Sequence, residues 1–129
     1  MRILLDTHTL LWFVDASPNL SDHARELIDD PANQKVLSIV SLWEIAIKHS
    51  LGRLALSLPL DQYTATHLTP SKVELLSIEI SHILTCAQMP WHHRDPFDRI
   101  LVAQAMTENI PIISVDTALD AYAVKRLWA

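Results

Sequence analysis

Apolar positions along this chain fall into two rhythms. Short runs at residues 2–5 ("RILL"), 35–40 ("KVLSIV"), 73–78 ("VELLSI") and 111–115 ("PIISV") have the dense leucine and β-branched character of strands buried on both faces. Between them the apolar residues recur at helical spacing. Leu10, Leu11 and Val14 predict a helix directly behind the first strand. "NLSDHARELIDDP" reads as a second helix, with Ser21 as its cap and Pro31 beyond its end. "SLWEIAIKHSLG" sets Leu42, Ile45 and Ala46 on one side and ends at Gly52, where a left-handed residue is wanted. A weaker helix is expected near 60–68 and another from about Ser81 to Gln88. "DPFDRILVAQAMTEN" predicts a long buried helix, and a short helix and tail finish the chain.

Strand–helix alternation of this kind points to a parallel sheet covered on both faces. With 129 residues and neither repeats nor a linker, residues 1–129 read as a single domain. Half of them are hydrophobic and 19% are charged, which excludes a disordered chain. No apolar run reaches the roughly 18 residues of a membrane span, and the first residues do not resemble a signal peptide. Cys86 is alone, so an internal disulfide and a multi-cysteine metal site are excluded, and a cytoplasmic protein is expected. The lone glycine, Gly52, removes the Walker and dinucleotide loops, which need several glycines at fixed spacing. A net charge of −5 argues against broad electrostatic binding of nucleic acid, although a metal-loaded acidic site can carry local positive charge.

Four acids then stand out by position. In an open parallel sheet, sites form outside the carboxyl ends of the strands. Asp6 directly follows the first strand and Asp116 directly follows "IISV". Glu44 is expected in the first turn of the helix after the second strand. Asp98 is expected in the first turn of the helix that feeds the fourth, which also starts over that edge.

Each acid has a plainer role available. Asp6 and Asp116 suit helix N-caps, and Ser41-Leu-Trp-Glu44 fits a capping box. Asp95-Pro-Phe-Asp98 is a strong helix start, with Asp95 as cap and Asp98 favoured near the positive end of the dipole. What capping does not explain is burial. Asp98 shares a helical face with Leu101, Val102 and Ala105, and Glu44 neighbours Trp43 and Ile47. Crowded, partly buried carboxylates repel one another and take up protons unless a cation is present. Oxygen donors without a cysteine cluster suit Mg²⁺ or Mn²⁺. Such an ion supports hydrolysis by polarising a phosphoryl oxygen and activating a bound water.

"LLDTHTLLW", "SLWEIAIK", "HHRDPFDRILVAQA" and "IISVD", in this order and spread over nearly the whole chain, resemble the PIN-domain ribonucleases, and in particular the VapC-like toxins of bacterial toxin–antitoxin pairs. The resemblance implies a three-layer α/β/α sandwich around a central parallel sheet of four to five strands. It implies a Mg²⁺- or Mn²⁺-dependent endoribonuclease whose metal-site acids correspond to Asp6, Glu44, Asp98 and Asp116. Homodimers and a cognate antitoxin that blocks the site are implied as well. The RNA target does not carry over.

Other residues keep two readings each. Thr7 and Ser114 flank site acids and either orient them or serve local turns. Asp95 is a cap or a supporting group. Arg99 could approach a phosphate, or pair with Asp95 four residues before it. Lys48 could neutralise Glu44 as an i,i+4 pair or touch RNA. "PWHHR" reads as a loop at the site rim, where Arg94 and the histidines could meet RNA, and the adjacent His92 and His93 do not have the spacing of a helical zinc site. Trp12, Trp43, Leu10 and Leu11 read mainly as core. Two other functions stay open: a phospho-acceptor signalling module, which would want a lysine after a late strand, and a non-catalytic binding module whose acids are only caps.

Overall fold

The computed structural model describes residues 1–129. Its elements run β1 (Arg2–Leu5), α1 (Thr7–Val14), α2 (Asp22–Asp29), β2 (Gln34–Ser38), α3 (Ile39–Ser50), α4 (Leu60–Tyr63), β3 (Glu74–Leu76), α5 (Ile80–Gln88), α6 (Pro96–Glu108), β4 (Ile112–Ile113) and β5 (Arg126–Leu127). A π-turn at Thr64–Leu68 extends α4, and a 3₁₀ turn at Thr117–Ala121 precedes β5. The five strands form one sheet in the order β3-β2-β1-β4-β5, every neighbouring pair parallel.

Alternation along the strands divides the core into two layers. Ile3, Leu5, Leu37 and Ile113 point to one face, where they pack with Leu10, Leu11, Ala24, Ile28 and Ile45 of α1, α2 and α3. Leu4, Val36 and Ile112 point to the other, against Leu101, Val102 and Ala105 of α6. Each such side chain contributes about 1.5–3 kcal/mol by leaving water, which is why the buried stretches Ile3–Leu5, Val36–Leu37 and Ile112–Ile113 are wholly apolar. The architecture is the α/β/α sandwich expected from the resemblance.

Several boundaries move. The second strand stops at Ser38 rather than Val40, because the Ser38 hydroxyl accepts the Val40 N–H and starts α3 there. The capping box expected at Ser41 is therefore absent. Ser41 is fully buried inside α3, and Glu44 lies in the second turn of that helix rather than the first. The third and fourth strands are shorter than expected, and the tail contributes a fifth strand, β5, which was not foreseen as an element. Arg126 holds that edge, donating to both carboxylate oxygens of Asp120 and to the Ser114 carbonyl.

The helix ends follow their residues. Ser21 accepts the Ala24 N–H, and Asp95 accepts the Phe97 N–H with Pro96 in the first turn. Gly52, at φ +71°, closes α3 with its N–H on the His49 carbonyl while Arg53 N–H reaches Lys48.

The chain runs outward from β1 to β2 and β3, then returns to place β4 on the other side of β1. The carboxyl ends of β1 and β4 thus flank the switch in direction, where an open α/β sheet leaves a crevice.

Candidate metal centre

Asp6 leaves β1 and caps α1, accepting the Thr7 N–H on Oδ1 at 2.7 Å. Its Oδ2 accepts the Ser114 hydroxyl at 2.7 Å. Ser114, fully buried just beyond β4, also accepts the Asp116 N–H at 3.0 Å, and Asp116 caps the following 3₁₀ turn through Ala118 N–H. From α3, Glu44 is only 4% exposed. The buried Thr7 hydroxyl lies 2.8 Å from both Glu44 Oε1 and Ser41 Oγ, so it donates to the carboxylate and accepts from Ser41. Glu44 Oε2 pairs with Lys48 one turn on.

Asp98 comes from the first turn of α6. Burial, with Asp95, Asp6 and Glu44 close by, pushes its carboxyl up to about 7, and no hydrogen bond from the protein offsets this. Burial likewise raises Asp6, against the pull of Ser114 and the Thr7 N–H.

All four acids line one cavity of about 370 Å³, together with His8, Trp12, Lys48, Asp95 and Val115. Capping and convergence therefore coexist. An N-cap serine or asparagine would close these helices without the repulsion that four carboxylates create. The tightest grouping of ligand atoms is a different set: His93, Asp98 and Asp116 offer atoms within 4.8 Å of one another. His93 Nε2 lies 3.0 Å from Asp116 Oδ2, and its Nδ1 lies 3.1 Å from the Tyr122 hydroxyl. Sequence reasoning left His93 in a rim loop. The residue that orients it, Tyr122, is remote in the chain, so no local pattern marks the contact.

Two expectations for arginines separate here. Arg99 makes no ion pair with Asp95 and does not face the cavity. Its buried guanidinium donates to the carbonyls of Pro90, Cys86 and Met89 and lies 3.8 Å from the Trp91 ring centroid. Arg94 is exposed in the loop beside His93, outside the acidic cavity itself. The i,i+4 pairing of Lys48 with Glu44 is formed. Leu10 and Leu11 are core as expected and Trp12 is half-buried, but Trp43 is 60% exposed and stacks edge-on with Phe97.

The donor set fits a hard divalent ion. It offers carboxylate oxygens from four elements, two of them steered by buried hydroxyls and one left without a hydrogen bond. Residues 3–125 match the family model of the PIN domain. The chain belongs to the PIN-domain family. Among solved structures, it is similar along its whole length to VapBC2 from Rickettsia felis bound to a DNA fragment from the promoter, at 14% identity and TM-score 0.72 with both chains fully covered. DNA-bound VapBC from Salmonella typhimurium aligns at 13% identity and TM-score 0.71, covering 98% of this chain and 97% of the other. A toxin–antitoxin complex from Klebsiella pneumoniae aligns at 16% identity and TM-score 0.62, covering 97% and 95%. At such identities the likeness is one of fold. No curated protein matches by sequence. No helix is long and apolar enough to cross a membrane.

Proposed function

We propose that this PIN domain is a divalent-metal-dependent endoribonuclease that serves as the toxin of a toxin–antitoxin pair, working on RNA in the cytoplasm. The observation that carries the reading is Asp98. A half-buried carboxylate with no hydrogen bond from the protein, set among Asp6, Glu44 and Asp95, has its pKa pushed up to about 7, and a bound cation would stabilise its anion. Membership of the family and a fold shared with toxin–antitoxin complexes support the rest.

In this reading Asp6, Glu44, Asp98 and Asp116 hold Mg²⁺ or Mn²⁺. When bound, the ion supplies Lewis acidity toward a phosphoryl oxygen and lowers the pKa of a ligated water. Ser114 and Thr7 fix the carboxylates of Asp6 and Glu44 so that little reorganisation is needed. Lys48 offsets part of the charge on Glu44, and its own pKa is raised by that hydrogen bond. Asp95 caps α6 and thereby places Asp98. Arg94, exposed at the rim, contacts the RNA backbone; Arg99 does not, being engaged by carbonyls.

The partners in this reading are a cognate antitoxin and a second copy of the chain. The exposed apolar strip of Ile39, Trp43, Ile80, Ile83 and Leu84 supports association of this kind, since monomers rarely leave such a patch uncovered.

The test is RNA cleavage with Mg²⁺ or Mn²⁺ by the wild type and by Asp98→Asn. Metal-dependent cleavage that the substitution abolishes is expected. Equal activity in both, insensitive to EDTA, overturns the assignment.

A further inference from the structure

The four-carboxylate description leaves one close group unused. We infer that His93 Nε2, Asp98 and Asp116 form a mixed nitrogen–oxygen metal position, which takes a first-row transition ion such as Mn²⁺ in preference to Mg²⁺. The inference rests on the metal-dependent reading above and adds a ligand to it.

Geometry is the first support. The three ligand atoms lie within 4.8 Å of one another, and His93 Nε2 stands 3.0 Å from Asp116 Oδ2. Adjacent ligands of an octahedral ion with bonds of about 2.1 Å are themselves about 3 Å apart. The spacing of His93 and Asp116 thus suits neighbouring positions around one centre, with Asp98 close enough to join them.

The second support is how His93 is held. Its side chain is 10% exposed, and its ring stacks on Tyr122 with centroids 5.5 Å apart and planes 29° from parallel. Nδ1 faces the Tyr122 hydroxyl at 3.1 Å. Metal-bound histidines nearly always tie their far nitrogen to such a partner, which fixes both tautomer and ring. In the tautomer with Nδ1–H donating to Tyr122 Oη, the Nε2 lone pair faces the carboxylate of Asp116 and is available to a metal ion held by both.

Asp98 completes the set, since its carboxylate takes no hydrogen bond from the protein and is free to ligate. His8, unlike His93, lines the cavity, but it is exposed and stands outside the cluster. Imidazole nitrogen suits transition ions, whereas Mg²⁺ prefers oxygen alone.

The experiment is pulsed electron paramagnetic resonance of the full chain loaded with Mn²⁺. Nitrogen-14 modulation from a directly bound imidazole is expected, and it should convert to the nitrogen-15 pattern when the wild type is grown with labelled histidine. That readout needs no variant. His93→Gln should abolish the modulation and lower the Mn²⁺-over-Mg²⁺ preference about tenfold, while His8→Gln leaves both unchanged. Bound Mn²⁺ without nitrogen modulation, or modulation lost in His8→Gln instead, overturns the inference. RNA cleavage by the same samples separates the two readings. Cleavage without nitrogen coupling overturns only the role of His93, and coupling without cleavage overturns only the nuclease.

Discussion

The Ser114 hydroxyl donates to Asp6 Oδ2 at 2.7 Å, joining residues 108 apart in sequence across the ends of β4 and β1. The same oxygen accepts the Asp116 N–H, so one buried serine orients one site acid and anchors the backbone of another. Ser114→Ala should cost about 1–2 kcal/mol, because it leaves Asp116 N–H without its acceptor. It should also weaken Mn²⁺ binding about tenfold, as loss of an orienting partner does. Thermal melts and calorimetric titration check the two effects separately. Wild-type affinity in a folded Ser114→Ala protein would show that Asp6 needs no such orientation.

Asp98 sets a pH dependence whose sign is opposite to that of an ordinary paired carboxylate. In the unfolded chain this group ionises near 3.8, whereas burial and the neighbouring Asp95, Asp6 and Glu44 hold it protonated to about 7 in the metal-free fold. Between those values the folded state binds more protons, so stability falls as pH rises through the window. The loss should be about 2 kcal/mol once solvent screening of this half-exposed group is discounted. In EDTA, the melting temperature should therefore drop between pH 4 and pH 7 and hold steady above it. Asp98→Asn should flatten much of that slope, leaving the smaller contribution of Asp6, whose pKa is raised in the same direction. Mn²⁺ affinity in the wild type should fall below pH 7 as protons compete. A wild-type melting temperature that rises across this window would contradict the unpaired state of Asp98.

Arg99 carries a stability prediction rather than a substrate one. Its guanidinium serves three carbonyls, Cys86 in the last turn of α5 and Met89 and Pro90 just beyond it, and lies over Trp91. Arg99→Ala should destabilise the fold by about 3 kcal/mol, and Arg99→Lys should recover only part of this, since an ammonium cannot span a forked set of acceptors. Denaturant titration measures the loss. Metal affinity of the lysine variant should stay near wild type, and a large drop in RNA affinity without loss of stability would point to a phosphate contact instead.

What could be read from the chain follows the range of the interactions concerned. Buried strands announce themselves because both neighbours of Leu4 must be apolar when both faces are covered, and local caps such as Ser21, Asp95 and Gly52 are decided within a few residues. The gathering of the four acids around one cavity was legible through topology, since Asp6 and Asp116 follow strands and Asp98 opens a helix over the same edge. Glu44, however, sits one turn deeper in α3 than a capping box would place it. Ile39 and Val40 misled because β-branched residues favour strands, while Ser38, an equally good cap, ends β2 before them. The partners of Arg99 and His93 were hidden for a different reason. Arg99 looked paired with Asp95 by helical spacing, yet tertiary carbonyls outcompete an exposed ion pair worth a few tenths of a kcal/mol. His93 depends on Tyr122, whose placement is a property of the finished fold.

The apolar strip on α3 and α5 makes the proposed homodimer testable at one residue. Ile80, Ile83 and Leu84 occupy one face of α5 and are each more than half exposed, and Trp43 of α3 adds an equally exposed ring. Val40, Trp43, Ile78, Ile83, Pro96, Phe97 and Ile100 together line an apolar groove between these helices. Trp43 and Phe97, which stack within it, are the immediate chain neighbours of Glu44 and Asp98. Association over this face would therefore also steady the two helices that present those acids. Ile83→Glu puts a charge at the centre of the strip but changes a side chain that already meets solvent, so the monomer fold should shift by no more than about 0.5 kcal/mol. Burying that charge in an interface is far costlier. Sedimentation at micromolar concentration should give a dimer for the wild type and a monomer for Ile83→Glu, with near-identical circular dichroism. A variant that stays dimeric places the interface elsewhere.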